Sequence, residues 1–146
     1  MATGQEKKGA IDIAKDLKEW FNYEGIKNLK TDFKLNNVVI AKEKGKIFGF
    51  ICYSSNSGKM QLLWMAVRRG SQNRGIGQKL LKWLEEEAKK FKLHLIEVET
   101  LSDKYKYFPY NKTRDFYYKS GFKKAFYKKA RFEGWDDQVV LEKTLN

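Results

Sequence analysis

The stretch from Met60 to Phe91 constrains the fold of this chain more than any other. Met60-Gln61-Leu62-Leu63-Trp64-Met65-Ala66-Val67 is an apolar run of strand length, and its near-continuous apolarity predicts a central strand covered on both faces. Directly after it, Arg68 to Gly77 is basic and glycine-rich and opens a helix to about Phe91, with Ile76, Leu80, Leu84, Ala88 and Phe91 as the expected buried stripe. Glu85 with Lys89 and Glu86 with Lys90 are i,i+4 pairs in the favourable order. Leu93 to Thr100 then reads as a strand, His94, Ile96 and Val98 on one face and Leu95, Glu97 and Glu99 on the other. A strand, helix, strand unit of this kind is a right-handed crossover between parallel strands, so the sheet must contain a parallel pair.

The flanks add elements on both sides. Ile13, Leu17, Trp20 and Phe21 share one helical face and predict a helix over residues 11–21, and Ile26, Leu29 and Phe33 predict a second, short one. Val38 to Ala41 and Ile47 to Tyr53 flank a glycine-containing turn as a hairpin. Beyond the crossover, an aromatic loop from Tyr105 to Tyr110 leads into a short helix from about Lys112 to Ser120, stopped by Gly121. Two last strands, near 123–130 and 138–144, are joined by Glu133-Gly134-Trp135-Asp136-Asp137. With no repeat, low-complexity tract or linker, residues 1–146 are expected to form a single domain.

Composition narrows the functional classes. One cysteine, Cys52, allows neither an internal disulfide nor a cysteine-based zinc site, and in an apolar strand it reads as a small buried hydrophobe. No apolar run reaches the ~18 residues of a membrane helix and the start is polar, so a soluble cytoplasmic protein without a membrane partner is expected. The net charge of +12 asks for an anion: nucleic acid, an anionic membrane surface or a polyphosphorylated cofactor, against the plain alternative of a solvated lysine-rich surface. His94 has no partner at metal-ligand spacing and reads as structural, and no metal is expected.

The loop Gln72-Asn73-Arg74-Gly75-Ile76-Gly77 presents successive backbone N–H groups at the positive end of a helix, an arrangement that holds phosphate. Gly75 and Gly77 allow close approach, Asn73 tolerates a left-handed conformation, and Arg74 adds a donor fork. It is neither a Walker A loop nor a dinucleotide fingerprint. In Gln72, Gly75 and Gly77 the loop resembles the pyrophosphate signature of the GNAT N-acyltransferase superfamily, Gln/Arg-x-x-Gly-x-Gly/Ala after a central strand. Ile47 to Tyr53 resembles the strand before that family's cleft, and Phe116-Tyr117-Tyr118-Lys119-Ser120-Gly121-Phe122 its Phe-Tyr-x-x-x-Gly-Phe element. The helical start resembles a compact subgroup that lacks the first strand.

The resemblance implies an α/β (α+β) fold: a mixed, mostly antiparallel sheet with a central parallel pair that splays apart after Val67 and around Glu97 to Glu99, flanked by helices. It implies an acetyl-CoA dependent N-acetyltransferase that passes an acetyl group directly to a primary amine, without a metal. The pantetheine arm would lie along Met65 and Val67, and the pyrophosphate on Gln72, Asn73, Arg74, Gly75, Ile76 and Gly77, within a cationic rim from Arg68, Arg69 and Arg74 with Lys79 or Lys112. A backbone N–H near Val67 would bind the thioester oxygen. Tyr117 would protonate the departing sulfur, with Tyr118 the neighbour open to confusion with it. Gln61 stands where histone-type members carry a glutamate base, and an amide cannot take a proton. The base is then Glu97 or Glu99, directly or through water, unless the amine arrives neutral. Arg69 replaces a usual proline, Asn73 a usual glycine and Thr113 a usual small residue. Glu97, Glu99, Asp103, Asp136 and Asp137 would suit a cationic amine if they converge. A polyamine, an amino acid, an aminoglycoside, a peptide N-terminus and a lysine side chain all stay open as acceptors. A homodimer is compatible with the family's habit. The alternatives are an RNA-directed (aminoacyl-tRNA) enzyme and a non-catalytic module binding nucleic acid or protein, with nucleic acid the less favoured partner.

Overall fold

The computed structural model describes residues 1–130 and 136–145. Helices α1 (Gly4–Asp16) and α2 (Tyr23–Leu35) precede strands β1 (Asn37–Glu43), β2 (Lys46–Asn56) and β3 (Lys59–Val67). Helix α3 (Ile76–Lys90), strand β4 (Leu95–Leu101), helix α4 (Phe108–Lys119) and strands β5 (Lys123–Lys128) and β6 (Gln138–Thr144) complete the chain. The sheet order is β1-β2-β3-β4-β6-β5, and β3–β4 is its parallel pair. Among the described residues no helix is long and apolar enough to cross a membrane.

One core lies between the sheet and α3 with α4, where Ile51, Leu62, Leu84, Ile96, Val98, Tyr117 and Leu141 pack together. The other lies under α1 and α2, around Leu29, Phe33, Val38, Phe50 and Cys52. Burial pushes the Cys52 thiol up to about 12, the behaviour of a hydrophobe rather than a nucleophile.

Several boundaries differ from the expected ones, each for a physical reason. Helix α1 starts at Gly4, because Thr3 and Glu6 close a capping box: Glu6 N–H donates to Thr3 Oγ1 (3.1 Å) and Thr3 N–H to Glu6 Oε1 (2.9 Å). It ends at Asp16 rather than Phe21. Helix α4 starts at Phe108, with Pro109 in the first turn where its missing N–H costs nothing, so part of the expected aromatic loop is helical. Phe91, expected in the buried stripe of α3, instead caps the helix and is 62% exposed. Ahead of β1 the chain supplies a rung at Ala2, whose N–H donates to Val38 O (3.0 Å). Of the expected β5–β6 connection, Glu133, Gly134 and Trp135 lie outside the described residues.

Residues 17–22 form a strap between α1 and α2. Leu17 and Phe21 are buried in the core under the helices, and the Phe21 ring lies 5.8 Å from that of Trp64 on β3. Trp20 Nε1–H donates to Pro109 O (3.1 Å) and Thr113 Oγ1 (3.0 Å) of α4. In return Tyr110 donates to Trp20 O (3.1 Å) and Tyr107 to Glu19 O (2.9 Å). On the other side Arg69 grips the strap through both oxygens of Glu19 (2.6 and 2.9 Å) and the backbone O of Asp16 (3.0 Å).

The guanidinium beside it lowers the Glu19 carboxyl to about 2 from its usual 4.5. A depressed carboxyl contributes stability that is fully present above its unfolded pKa and is lost as pH falls through the folded one. Removing Glu19 by Glu19→Gln should therefore narrow the stability gap to wild type as pH falls from about 5 to 2, with high salt narrowing it at every pH; urea unfolding across that range measures it.

Candidate active site

Strand β3 pairs with β4 over four positions, Lys59–Leu95 to Leu62–Val98. The strands then part. The resemblance implies a split after Val67 and around Glu97 to Glu99; the structure ends the pairing at Val98 on β4 but at Leu62 on β3, five residues earlier than expected there, and the cause is local. Trp64 pairs with Cys52 and Leu62 with Tyr53, so Leu63 is an extra residue in β3, a bulge that bends the strand away from β4 just past their last rung. Beyond it β3 remains paired to β2 through Val67, and β4 to β6 through Leu101. Each therefore keeps one backbone edge turned into a common gap, along residues 63–67 and 99–101.

At the mouth of that gap the chain makes the turn its glycines allow. Asn73 (φ 63°) and Gly75 (φ 81°) adopt left-handed conformations, and Gly75 is the N-cap of α3 with no side chain to bond the helix. The amides of Ile76, Gly77 and Gln78 lie in that uncapped first turn, and open space surrounds Gly75. Gly77 works differently. A Cβ there would stand 3.1 Å from both Met65 Cε and Phe116 Cζ, so this glycine lets α3 close against β3 and α4.

The arginines expected at the rim divide their labour. Arg68 Nε–H donates to Ile47 O (2.7 Å), Arg69 holds the strap, and Arg74 stands exposed beside the helix start. Gln72 folds back to donate to Val67 O (3.2 Å).

Tyr117 and Tyr118 lie on different sides of α4. Tyr117 is 6% exposed, packed edge-on against Phe116 and Phe122 in the cluster that holds Leu62 and Val98, the last rung before the split. Burial pushes its phenol well above the usual range, so it stays protonated at neutral pH. Tyr118 lines a separate cavity on the far side of α4 from α3.

Glu97 and Glu99 share the sheet face opposite Tyr117 but differ in surroundings. Glu97 is 6% exposed below the split, with Lys59 Nζ donating to one oxygen (2.7 Å) and Gln61 Nε2 to the other (3.4 Å). Glu99 is exposed beside the gap and accepts from Lys128 Nζ (2.6 Å). Asp103 does not join them: Lys124 and Tyr127 bind it on the other face.

Thr100 is a residue that sequence reasoning passed over. It sits on β4 past the last rung to β3, still paired to Val139 of β6, 5% exposed and with its buried hydroxyl bonded to no described residue. A lone threonine in a strand carries no signal of this, because the partners of a buried hydroxyl are set by the fold. An orphaned hydroxyl, two free strand edges and an uncapped helix start together fit a ligand with amide groups at one end and phosphates at the other.

Comparison with known proteins is consistent with that geometry. The acetyltransferase (GNAT) domain family matches residues 34–124, more than half of the chain. No curated protein matches the chain by sequence. Among solved structures, a putative GNAT-family acetyltransferase from Desulfovibrio desulfuricans superposes with a TM-score of 0.86 at 21% identity, covering 100% of this chain and 96% of its own. The ribosomal-protein-S18-alanine N-acetyltransferase of Escherichia coli gives 0.79 at 16% identity over 99% and 91%. An aminoglycoside 6′-N-acetyltransferase in complex with coenzyme A gives 0.72 at 20% over 97% and 92%. At these identities the structures share the fold, while the match over residues 34–124 carries the assignment: the chain belongs to the GNAT family of acetyltransferases.

Proposed function

We propose that this protein is an acetyl-CoA dependent N-acetyltransferase that moves the acetyl group directly to a primary amine. The observation that carries the reading is the gap beyond Leu62–Val98, with two free strand edges and the uncapped start of α3 at its mouth. Solved structures of this fold include complexes with coenzyme A and with acetyl coenzyme A.

In this reading the amides of residues 72–77 hold the pyrophosphate and Arg74 supplies the free charge, while the backbone at Met65 and Val67 on one side and Thr100 on the other bonds the pantetheine amides. Acetyl-CoA brings an acyl group activated as a thioester. A β3 backbone N–H near Val67 stabilises the carbonyl oxygen as the C–N bond forms. The C–S bond breaks with Tyr117 donating its phenolic proton to the sulfur. The amine loses its proton to Glu99 through water; Glu97, with both oxygens engaged, keeps Lys59 and Gln61 in place. The acceptor approaches from the α1–α2 side, the face on which Glu99 lies. The amine of a peptide end or of a small molecule fits equally, as the neighbours' names illustrate.

Calorimetric titration with acetyl-CoA tests the cofactor. Wild type should bind at micromolar strength and Gly75→Glu, which sets a negative side chain among the helix amides, should not; absence of binding to wild type at low salt would remove the proposal. With an acceptor in hand, Tyr117→Phe should lower kcat by about 10²-fold with little change in acetyl-CoA affinity. Of the two glutamates, Glu99→Gln should lower kcat/KM most at low pH, where less of the amine is neutral, while Glu97→Gln should chiefly lower the melting temperature.

A further inference from the structure

The far side of α4 carries a second constructed region that the acetyl-transfer reading does not use. A cavity of about 490 Å³ opens between α4, the β4–α4 loop and β5. In its wall Arg114 is 4% exposed, yet no described carboxylate pairs with it. Its guanidinium donates to the carbonyls of Leu101 (2.7 Å), Ser102 and Tyr105 (both 3.5 Å), and to Asn111 Oδ1. A buried cation held only by neutral dipoles leaves a local excess of positive charge. Tyr118, in the same wall, has a buried hydroxyl that bonds to no described residue.

The rim is aromatic and basic. Register places Tyr127 opposite Val139 and Lys124 opposite Leu141, on the sheet face that α4 covers, while Phe126 pairs with Val140 and belongs to the other face. Tyr127 is 48% exposed with Lys104 Nζ 5.1 Å from its ring centre; Phe108, 67% exposed at the start of α4, has Lys112 Nζ at 5.0 Å. Lys106 stands between them on the loop. Arg114 and four lysines thus outnumber the acids of this face: Asp103, already neutralised by Lys124, Asp115, and Asp137 behind the loop, whose N–H donates to Tyr105 Oη.

We infer that this face binds single-stranded nucleic acid, with a phosphate at the Arg114 cavity and bases stacked on Tyr127 and Phe108. Phosphodiester charge answers the cationic excess, and the rings supply platforms that any base can use. An acidic peptide would satisfy the lysines but leave the exposed rings unused. The inference is independent of the acetyl-transfer reading, since that reading uses none of the residues that line the cavity.

Fluorescence anisotropy with a labelled single-stranded RNA of about 16 nucleotides, the upper site size of a small binding fold, provides the test. Wild type should bind with an affinity that falls steeply with salt. Tyr127→Ala with Phe108→Ala, which changes no charge, should weaken binding about fivefold or more. Lys104→Glu with Lys106→Glu should weaken it further, and the equal charge change Lys82→Glu with Lys90→Glu on the exposed face of α3 should cost much less. Circular dichroism should show all variants folded. No binding at low salt would overturn the inference. So would an α3 variant as weak as the loop variant, silent ring substitutions, or displacement of the RNA by polyglutamate or inorganic polyphosphate as readily as by unlabelled RNA.

Discussion

Peptide groups inside a protein must find partners, and a sheet that parts between two of its inner strands leaves a row of them without any. The rest of this structure is arranged around that division. Four rungs hold β3 to β4, the bulge at Leu63 ends the pairing, and β2 and β6 keep the outer edges of the diverging strands in register. Bulk closes in where it can: Gly77 lets α3 settle onto Met65 and Phe116, and Tyr117 with Phe122 fills the space beneath the last rung. The unpaired backbone is left facing the gap with the Thr100 hydroxyl buried beside it, and a polar ligand is the natural way to satisfy the exposed peptide groups.

The basic character of the chain is less direct a message than it looks. Two of the three arginines around the glycine-rich loop are spent on architecture, Arg68 on the β2 backbone and Arg69 on the strap. Arg114, in the middle of a helix, commits its terminal N–H groups to stapling the end of β4 to α4 and lends the cavity beside it its charge rather than its donors. Counting cations in a sequence therefore overstates the charge available to a ligand, and only position separates the two uses.

What was legible in the sequence follows the same division between local and distant causes. The crossover from β3 through α3 to β4 could be read because its periodicity and its Gly75 and Gly77 are local signals. The true start of α1 was readable too, since Thr3 and Glu6 stand at capping-box spacing, but the apolar stripe beginning at Ile11 draws the eye past it. Trp20 and Phe21 mislead because they keep helical spacing after the helix has ended; their places are set by α4 and Trp64, far along the chain. The burial of Arg114 and the exposure of Phe91 are likewise consequences of tertiary neighbours that no window of sequence contains; the split follows from the bulge at Leu63, which an almost unbroken apolar run does not reveal.

The strap, finally, completes a closed circuit. From β3 it runs through Trp64 and Arg69 to residues 16–21, across Trp20 to α4, through Arg114 to the end of β4, and back over the four rungs to β3. Like a tie beam beneath a roof, it joins the two halves of the sheet from outside the opening, through Trp20 on Thr113 and Phe21 on Trp64. The bulge at Leu63 opens the gap, and a short loop near the start of the chain ties its two sides together from outside. Changes in that loop can retune what passes between the strands while leaving the sheet itself intact.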